Sequence, residues 1–198
     1  MGYSQAQKAE SRARVLDAAA TQIRETGIDS LGVADCMRAA GLTHGAFYAH
    51  FDSRDALIVA ALEQAIAEGE GRIETSIRNA ETHGKTPIEA IASSYLSERH
   101  LKAAGKGCAL CALAGEARHS SDMIKGLLGR HLQRLAARLA EAAGIDDEEK
   151  SLALMSTVVG AITLARGVDD DALAKRILSG ALSLVLSQDQ RKAQCVSR

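Results

Sequence analysis

The stretch GLTHGAFYAHFDSRDAL, residues 41–57, holds three of the chain's five aromatic residues, Phe47, Tyr48 and Phe51, within five positions. Before it lies LGVADCMRAA, whose stop is Gly41, a residue that tolerates the left-handed backbone at a helix C-terminus. Ser30 is placed to cap this helix over 31–40. Thr43 is placed to cap a very short one from about His44 to His50, and Ser53 to cap a long one from Arg54 into the seventies. Two short helices joined by a GLT turn have the proportions of a helix-turn-helix, in which the second helix enters the DNA major groove and the first braces it. Phe47 and Phe51 are four apart, so both fall on one side of the short helix and are expected to plug into a core with Leu16, Ile23, Leu57 and Ile58.

Upstream, Ala9, Ala13, Leu16, Ala19, Ala20 and Ile23 recur at helical intervals, which predicts a first helix from Gln5 to about Thr26, ended by Gly27. Downstream, Thr86-Pro87-Ile88-Glu89 combines a capping Thr, a Pro at the first helical position and a Glu at the third, so a fifth helix is expected from there to about Lys102. Gly105 and Gly107 then break the chain. A sixth helix is expected over about 108–119, a seventh from Ser120 or Ser121 to about Ala143, an eighth from the acidic 146–149 cluster to about Arg166, and a ninth from Asp169–Asp171 to about Gln188. The polar tail QDQRKAQCVSR is expected to fray.

Ala and Leu dominate the composition, Pro occurs once, and few segments show the β-branched alternation of strands; the fold class is read as all-α. A net charge of -1 leaves no global footprint for nucleic acid, and the first 54 residues carry six Lys/Arg against six Asp/Glu. DNA binding therefore rests on motif and geometry, with phosphate attraction expected locally from Lys8, Arg12, Arg14, Arg38 and Arg54. The N-terminus has no apolar signal-like run, and the apolar stretch 152–165 is too short to span a bilayer, so a soluble, cytoplasmic protein without a membrane partner is expected.

The run ADCMRAAGLTHGAFYAHFDSRDAL resembles the DNA-binding signature of the tetracycline-repressor (TetR) family: an AG turn, a short helix ending in Tyr-x-His-Phe, and a Ser-Arg-Asp-x-Leu start to the following helix. The resemblance covers about residues 8–64. Cys36 and Met37 depart from it, standing where the family commonly has a branched aliphatic residue and an Ala. It implies a nine-helix fold with a helix-turn-helix domain at 1–53, a linking helix at 54–78, and a ligand-binding and dimerisation domain over 54–190. It also implies DNA contacts by Thr43, His44, Gly45, Ala46, Tyr48, His50 and Arg54, of which His44 is the long polar reader of base edges. Thr43, Tyr48, His50 and Arg54 suit phosphate oxygens instead. The partners it implies are a palindromic double-stranded operator, a second copy of the chain forming a homodimer through helices eight and nine, and a small-molecule inducer that releases DNA through helix four.

The inducer site is the less defined part. By position, Leu96, His100, Cys108, Leu110, Cys111, Leu113, Met123, Leu127 and Met155 are its candidate lining. Cys108 and Cys111 in GKGCALCALAGE are the most reactive pair by type, because a helix N-terminus and Lys106 would lower the Cys108 thiol pKa. A thiol-reactive inducer is one expectation and plain core packing the other; a zinc site completed by His100 and His119 is a third. A dithiol redox protein, or a helical ligand binder that does not touch DNA, is the alternative function. No enzyme is expected, because the CxxC lacks a βαβ context, and no cofactor is implied.

Overall fold

A computed structural model describes residues 5–82 and 84–190, which contain nine α-helices and no strand. In order these are α1 (Gln5–Thr26), α2 (Val33–Ala39), α3 (Arg54–Thr82), α4 (Pro87–Tyr95), α5 (Glu98–Lys102), α6 (Ala109–Leu113), α7 (Asp122–Ala143), α8 (Glu148–Arg166) and α9 (Asp171–Ser187). Short 3-10 helices occupy His44–Ala49, Ala104–Lys106 and Ala117–His119. The last eight residues of the polar tail lie outside the described residues. No helix among those described is long and apolar enough to cross a membrane.

The chain divides into two compact units. One comprises Met1–Glu68 with Ala104–Leu127, the other Gly69–Ala103 with Leu128–Arg198. The first therefore extends beyond residue 53, taking the N-terminal half of α3 and recruiting the segment around α6.

In the first unit α1 buries Ser11, Val15, Leu16, Ala19, Ala20 and Ile23. Ala9 and Ala13, which spacing had placed on this stripe, are exposed; Ser11 and Val15 stand inside instead. Ser30 does not cap α2. Its hydroxyl donates back to the carbonyls of Thr26 and Gly27, and the cap position falls to Gly32, with α2 starting at Val33. The 104–106 turn lies so close to α1 that a Cβ at Gly105 would collide with the Glu25 carboxylate and the Thr21 methyl group. Lys106 pairs with Asp17 at 2.7 Å, and Glu116 accepts the Ile28 backbone N–H at 3.0 Å, tying this segment to the end of α1.

The second unit packs α8 against α9 and α4 against both. Its core includes Ile88, Ile91, Leu139, Val158, Ile162 and Val185. The Thr86 capping box forms as predicted, with Thr86 Oγ1 accepting from Glu89 N at 3.4 Å and Glu89 Oε2 accepting from Thr86 N at 2.8 Å. The fifth predicted helix does not reach Lys102 unbroken. The hydroxyl of Ser97 donates to the Ser94 carbonyl at 2.9 Å and accepts from His100 N at 3.2 Å, which ends α4 and caps α5. Arg166 holds the C-terminal end of α5, donating to the carbonyls of His100 and Leu101 at 2.8 and 3.2 Å. The predicted sixth helix likewise stops at Leu113, before Gly115 and Glu116, whose carboxylate accepts from Ile28 N.

Candidate nucleic-acid interface

The turn between α2 and the 44–49 helix is a Schellman motif. Gly41, at φ +73°, donates to the Arg38 carbonyl at 3.0 Å while Leu42 donates to Met37 at 2.8 Å. The chain then enters a 3-10 helix rather than the expected α-helix, with Ala46 N bonded to Thr43 O and His50 N to Phe47 O. Thr43 takes the extended cap conformation without using its side chain, so its hydroxyl stays available.

Burial sorts this segment into two faces. Phe47 and Phe51 are 3% and 4% exposed, with rings stacked 5.8 Å apart. Tyr48 meets Phe47 edge-on at 5.2 Å yet is 74% exposed. Thr43, His44 and Gly45 are exposed with it, whereas Ala46 and His50 are half-buried. A helix this short is unstable alone, and the two rings supply the apolar anchorage that holds its polar side outward.

Arg12 lies over the Phe51 ring at 4.8 Å from its centroid, bringing α1 to the same site. Burial, followed by the positive charges of Lys8 and Arg12, holds the His50 pKa below the ordinary imidazole range. Its Nδ1 is buried without a hydrogen-bond partner among the described residues. Lys8 and Arg12 thus bring two positive charges to His50 at this site.

The other basic residues are engaged elsewhere. Arg14 pairs with Glu10 at 3.7 Å and Arg38 with Asp35. Arg54 turns its guanidinium to three backbone carbonyls of the loop before α2: Ile28 and Asp29 at 2.9 Å and Leu31 at 3.2 Å. It fixes the loop from which α2 starts.

Residues 15–61 match the family described as bacterial regulatory proteins, tetR family. Over these residues the chain carries the DNA-binding segment of the TetR family. Solved structures share the fold across nearly the whole chain. A TetR regulator from Chloroflexus aurantiacus superimposes with a TM-score of 0.76 at 20% identity, covering 92% of this chain and 96% of that one. For a TetR-family transcriptional regulator from Cytophaga hutchinsonii the score is 0.75 at 16% identity, with 94% and 98% covered. One from Agrobacterium tumefaciens gives 0.74 at 21%, with 89% and 97% covered. No curated protein matches the chain.

The candidate inducer residues fall in both units. Cys108, Leu110, Cys111, Leu113, Met123 and Leu127 belong to the first, and Leu96, His100 and Met155 to the second. On α6 and at its cap, Cys108, Leu110, Cys111 and Leu113 are all buried, whereas Met123 is 62% exposed. The ammonium expected to activate Cys108 pairs instead with Asp17. Cys36 is also buried; burial and the nearby Asp35 push its thiol up to about 11. His100 donates from Nδ1 to the Tyr95 carbonyl at 2.8 Å and its ring stands edge-on to Tyr95. Met155 lines a small apolar cavity of about 10 Å³ with Tyr95, Leu135 and Val158. Among the described residues no group of three or more His, Cys, Asp or Glu is placed to hold a metal ion.

Sequence reasoning missed Glu70 and His131. His131 is 1% exposed, with Nδ1 3.2 Å from Glu70 Oε1. Burial pushes the Glu70 carboxyl up, but hydrogen bonds and charge from Arg134 and His131 outweigh it and hold its pKa below the usual range. The Glu70 carboxylate accepts from His131 Nδ1, and the other ring nitrogen, Nε2, is buried without a partner among the described residues. The partners are 61 positions apart, so no local spacing announces them.

Proposed function

We propose that this chain is a homodimeric transcriptional repressor of the TetR family that acts in the cytoplasm, reads a palindromic DNA operator with residues 43–50 of each subunit, and is released by a small-molecule inducer. The observation that carries the DNA reading is the sorting of one short helix into buried Phe47 and Phe51 and exposed Thr43, His44, Gly45 and Tyr48. Side chains that reach base edges and phosphates must be held outward by something rigid behind them, and the stacked rings supply that support. His44 and Gly45 are the base-facing positions. Thr43, Tyr48 and His50, with Lys8 and Arg12, meet phosphates. Arg54 acts one step back, as a positioning residue for the loop before α2.

Dimerisation is supported by apolar side chains left in solvent on the last two helices, Leu164 at 63%, Leu173 at 39% and Leu184 at 52% exposure. Open space beside Gly160 and Gly180 permits close approach of a second copy. The inducer reading draws support from the second unit, where the buried, unpartnered His131 Nε2 suits a ligand that brings a polar group to the ring. The thiol route carries less weight, because Cys108 is 3% exposed and an electrophile reaches it only if α6 opens. Action is by binding, not catalysis.

The test is fluorescence anisotropy with DNA from upstream of the protein's own gene, combined with sedimentation of the free protein. The expected result is a dimer forming a specific complex that weakens steeply with salt, and Tyr48→Phe weakening it about equally on all operator variants. A monomer, or binding that is insensitive to both salt and Tyr48, overturns the reading.

A further inference from the structure

The second unit contains a polar cleft that the DNA and inducer readings do not use. It has a volume of about 500 Å³ and lies between the C-terminal end of α3 and the α4–α5 segment. Lys85 and Arg99 line it, together with Ser76, Ser93, Ser94 and Ser97, and among the described residues no carboxylate does so. Two nearby acids are held elsewhere: Glu89 accepts from the Thr86 backbone at 2.8 Å, and Glu98 pairs with Lys175 at 3.2 Å. Lys85 and Arg99 have no ion-pair partner among the described residues.

Three serines of the cleft lack the back-bond that many helical hydroxyls of this chain make. Thr75, Ser151, Ser156, Thr157 and Ser179 each donate to a backbone carbonyl three or four residues earlier. Ser76, Ser93 and Ser94 make no such bond, so three half-buried hydroxyls remain free to donate into the cleft. Two cations and three hydroxyls without a partner among the described residues match a group carrying nearly two negative charges and three acceptor oxygens. The volume lies within the range of roughly 300–1,000 Å³ typical of small-molecule sites.

We infer that this cleft binds a small phosphorylated metabolite, a phosphate monoester whose oxygens lie between Lys85 and Arg99 and accept from Ser76, Ser93 and Ser94. The site is distinct from the DNA surface, and binding to it is read without DNA. The probe is glucose 6-phosphate, titrated into the full chain and followed by backbone amide NMR, with glucose as the uncharged control. The expected result is a saturable response confined to residues 76–99, with a Kd of about 1 mM or tighter, competed by inorganic phosphate. Lys85→Ala/Arg99→Ala weakens binding about tenfold or more, Ser93→Ala/Ser94→Ala weakens it about threefold, and Lys125→Ala leaves it unchanged. Retained helical circular dichroism shows that the variants are folded. The inference fails if no saturable response appears, if glucose produces the same response, if the shifts scatter over basic residues across the surface, or if the double cation variant binds as the parent does.

Discussion

The two compact units are held together by different kinds of contact. In the first, ionic and polar contacts reach into the interior: the Arg24 side chain is fully buried and pairs with Glu68 at 2.8 Å, and Glu116 reaches the backbone at the end of α1. In the second, apolar helix faces do most of the packing around one buried histidine, His131, held by Glu70, while ion pairs such as Lys175–Glu98 stay more than half exposed. Directional contacts admit few alternative arrangements, which suits a surface that must present side chains in register to DNA. Apolar packing tolerates exchange of one side chain for another of similar volume. The family match, residues 15–61, lies wholly in the first unit.

The largest effect is expected at the buried pair. Glu68→Leu leaves the Arg24 guanidinium inside without a counter-charge, where its Nε and Nη1 already lack partners among the described residues. A loss of about 3 kcal/mol is expected, seen as a lower urea midpoint, whereas Glu98→Leu costs under about 1 kcal/mol because its partners are exposed. Equal losses at the two sites break the contrast. Restoring stability with Arg24→Met in the Glu68→Leu background sharpens it, because two apolar side chains of similar size then replace the buried charges.

An arginine in each unit sets up a second comparison. Arg54 ties the loop before α2 through three carbonyls, and Arg166 ties the C-terminal end of α5 through two. Replacing either by Met is expected to cost about 2 kcal/mol in unfolding free energy. Arg54→Met is also expected to weaken operator binding, as a displaced loop would. If instead Arg54→Met leaves stability intact and lowers the salt dependence of DNA binding by about one counterion, the side chain acts on phosphate directly.

Much of the first unit was legible in sequence because its signals are local. Gly41 closes a Schellman turn, Ser53 accepts from Ala56 N at 3.0 Å as a helix cap, and Phe47 and Phe51 share the buried side. The role of Arg54 was not, because carbonyls of residues 28–31 converge on it only once the loop is folded. In α1 an alanine contributes so little apolar surface that its spacing decides nothing, which is why Ala9 and Ala13 are outside and Ser11 inside. In the second unit Thr86 announced its helix, since all the parts of a capping box lie within four residues. Ser97 did not, because a serine inside a helical pattern either back-bonds or caps, and only the turn at Leu96 decides between them. Glu70 and His131 were beyond reach for a simpler reason: a pair 61 residues apart leaves no periodic trace.

The smallest effect is a pH dependence at the boundary between fold and DNA. With its pKa held below the imidazole value by burial and by Lys8 and Arg12, His50 in the free protein favours the neutral form. Its contribution to fold stability is therefore complete above the unfolded pKa of about 6.5 and is lost as pH falls through the lower folded value. A DNA phosphate beside the ring acts in the opposite direction. It offsets the two cations and raises the pKa in the complex, so binding takes up a proton and tightens as pH falls. Between about pH 7.5 and 5.5 at constant ionic strength, affinity is expected to rise about threefold to fivefold, less than the tenfold per pH unit of a full proton. The measurement belongs in a His44→Gln background, because exposed His44 is a second imidazole on the same face. In that background His50→Gln should flatten the profile while keeping the urea midpoint near that of the parent at pH 7.5. A profile that stays steep after this change would move the linked proton, and with it the phosphate contact, away from His50.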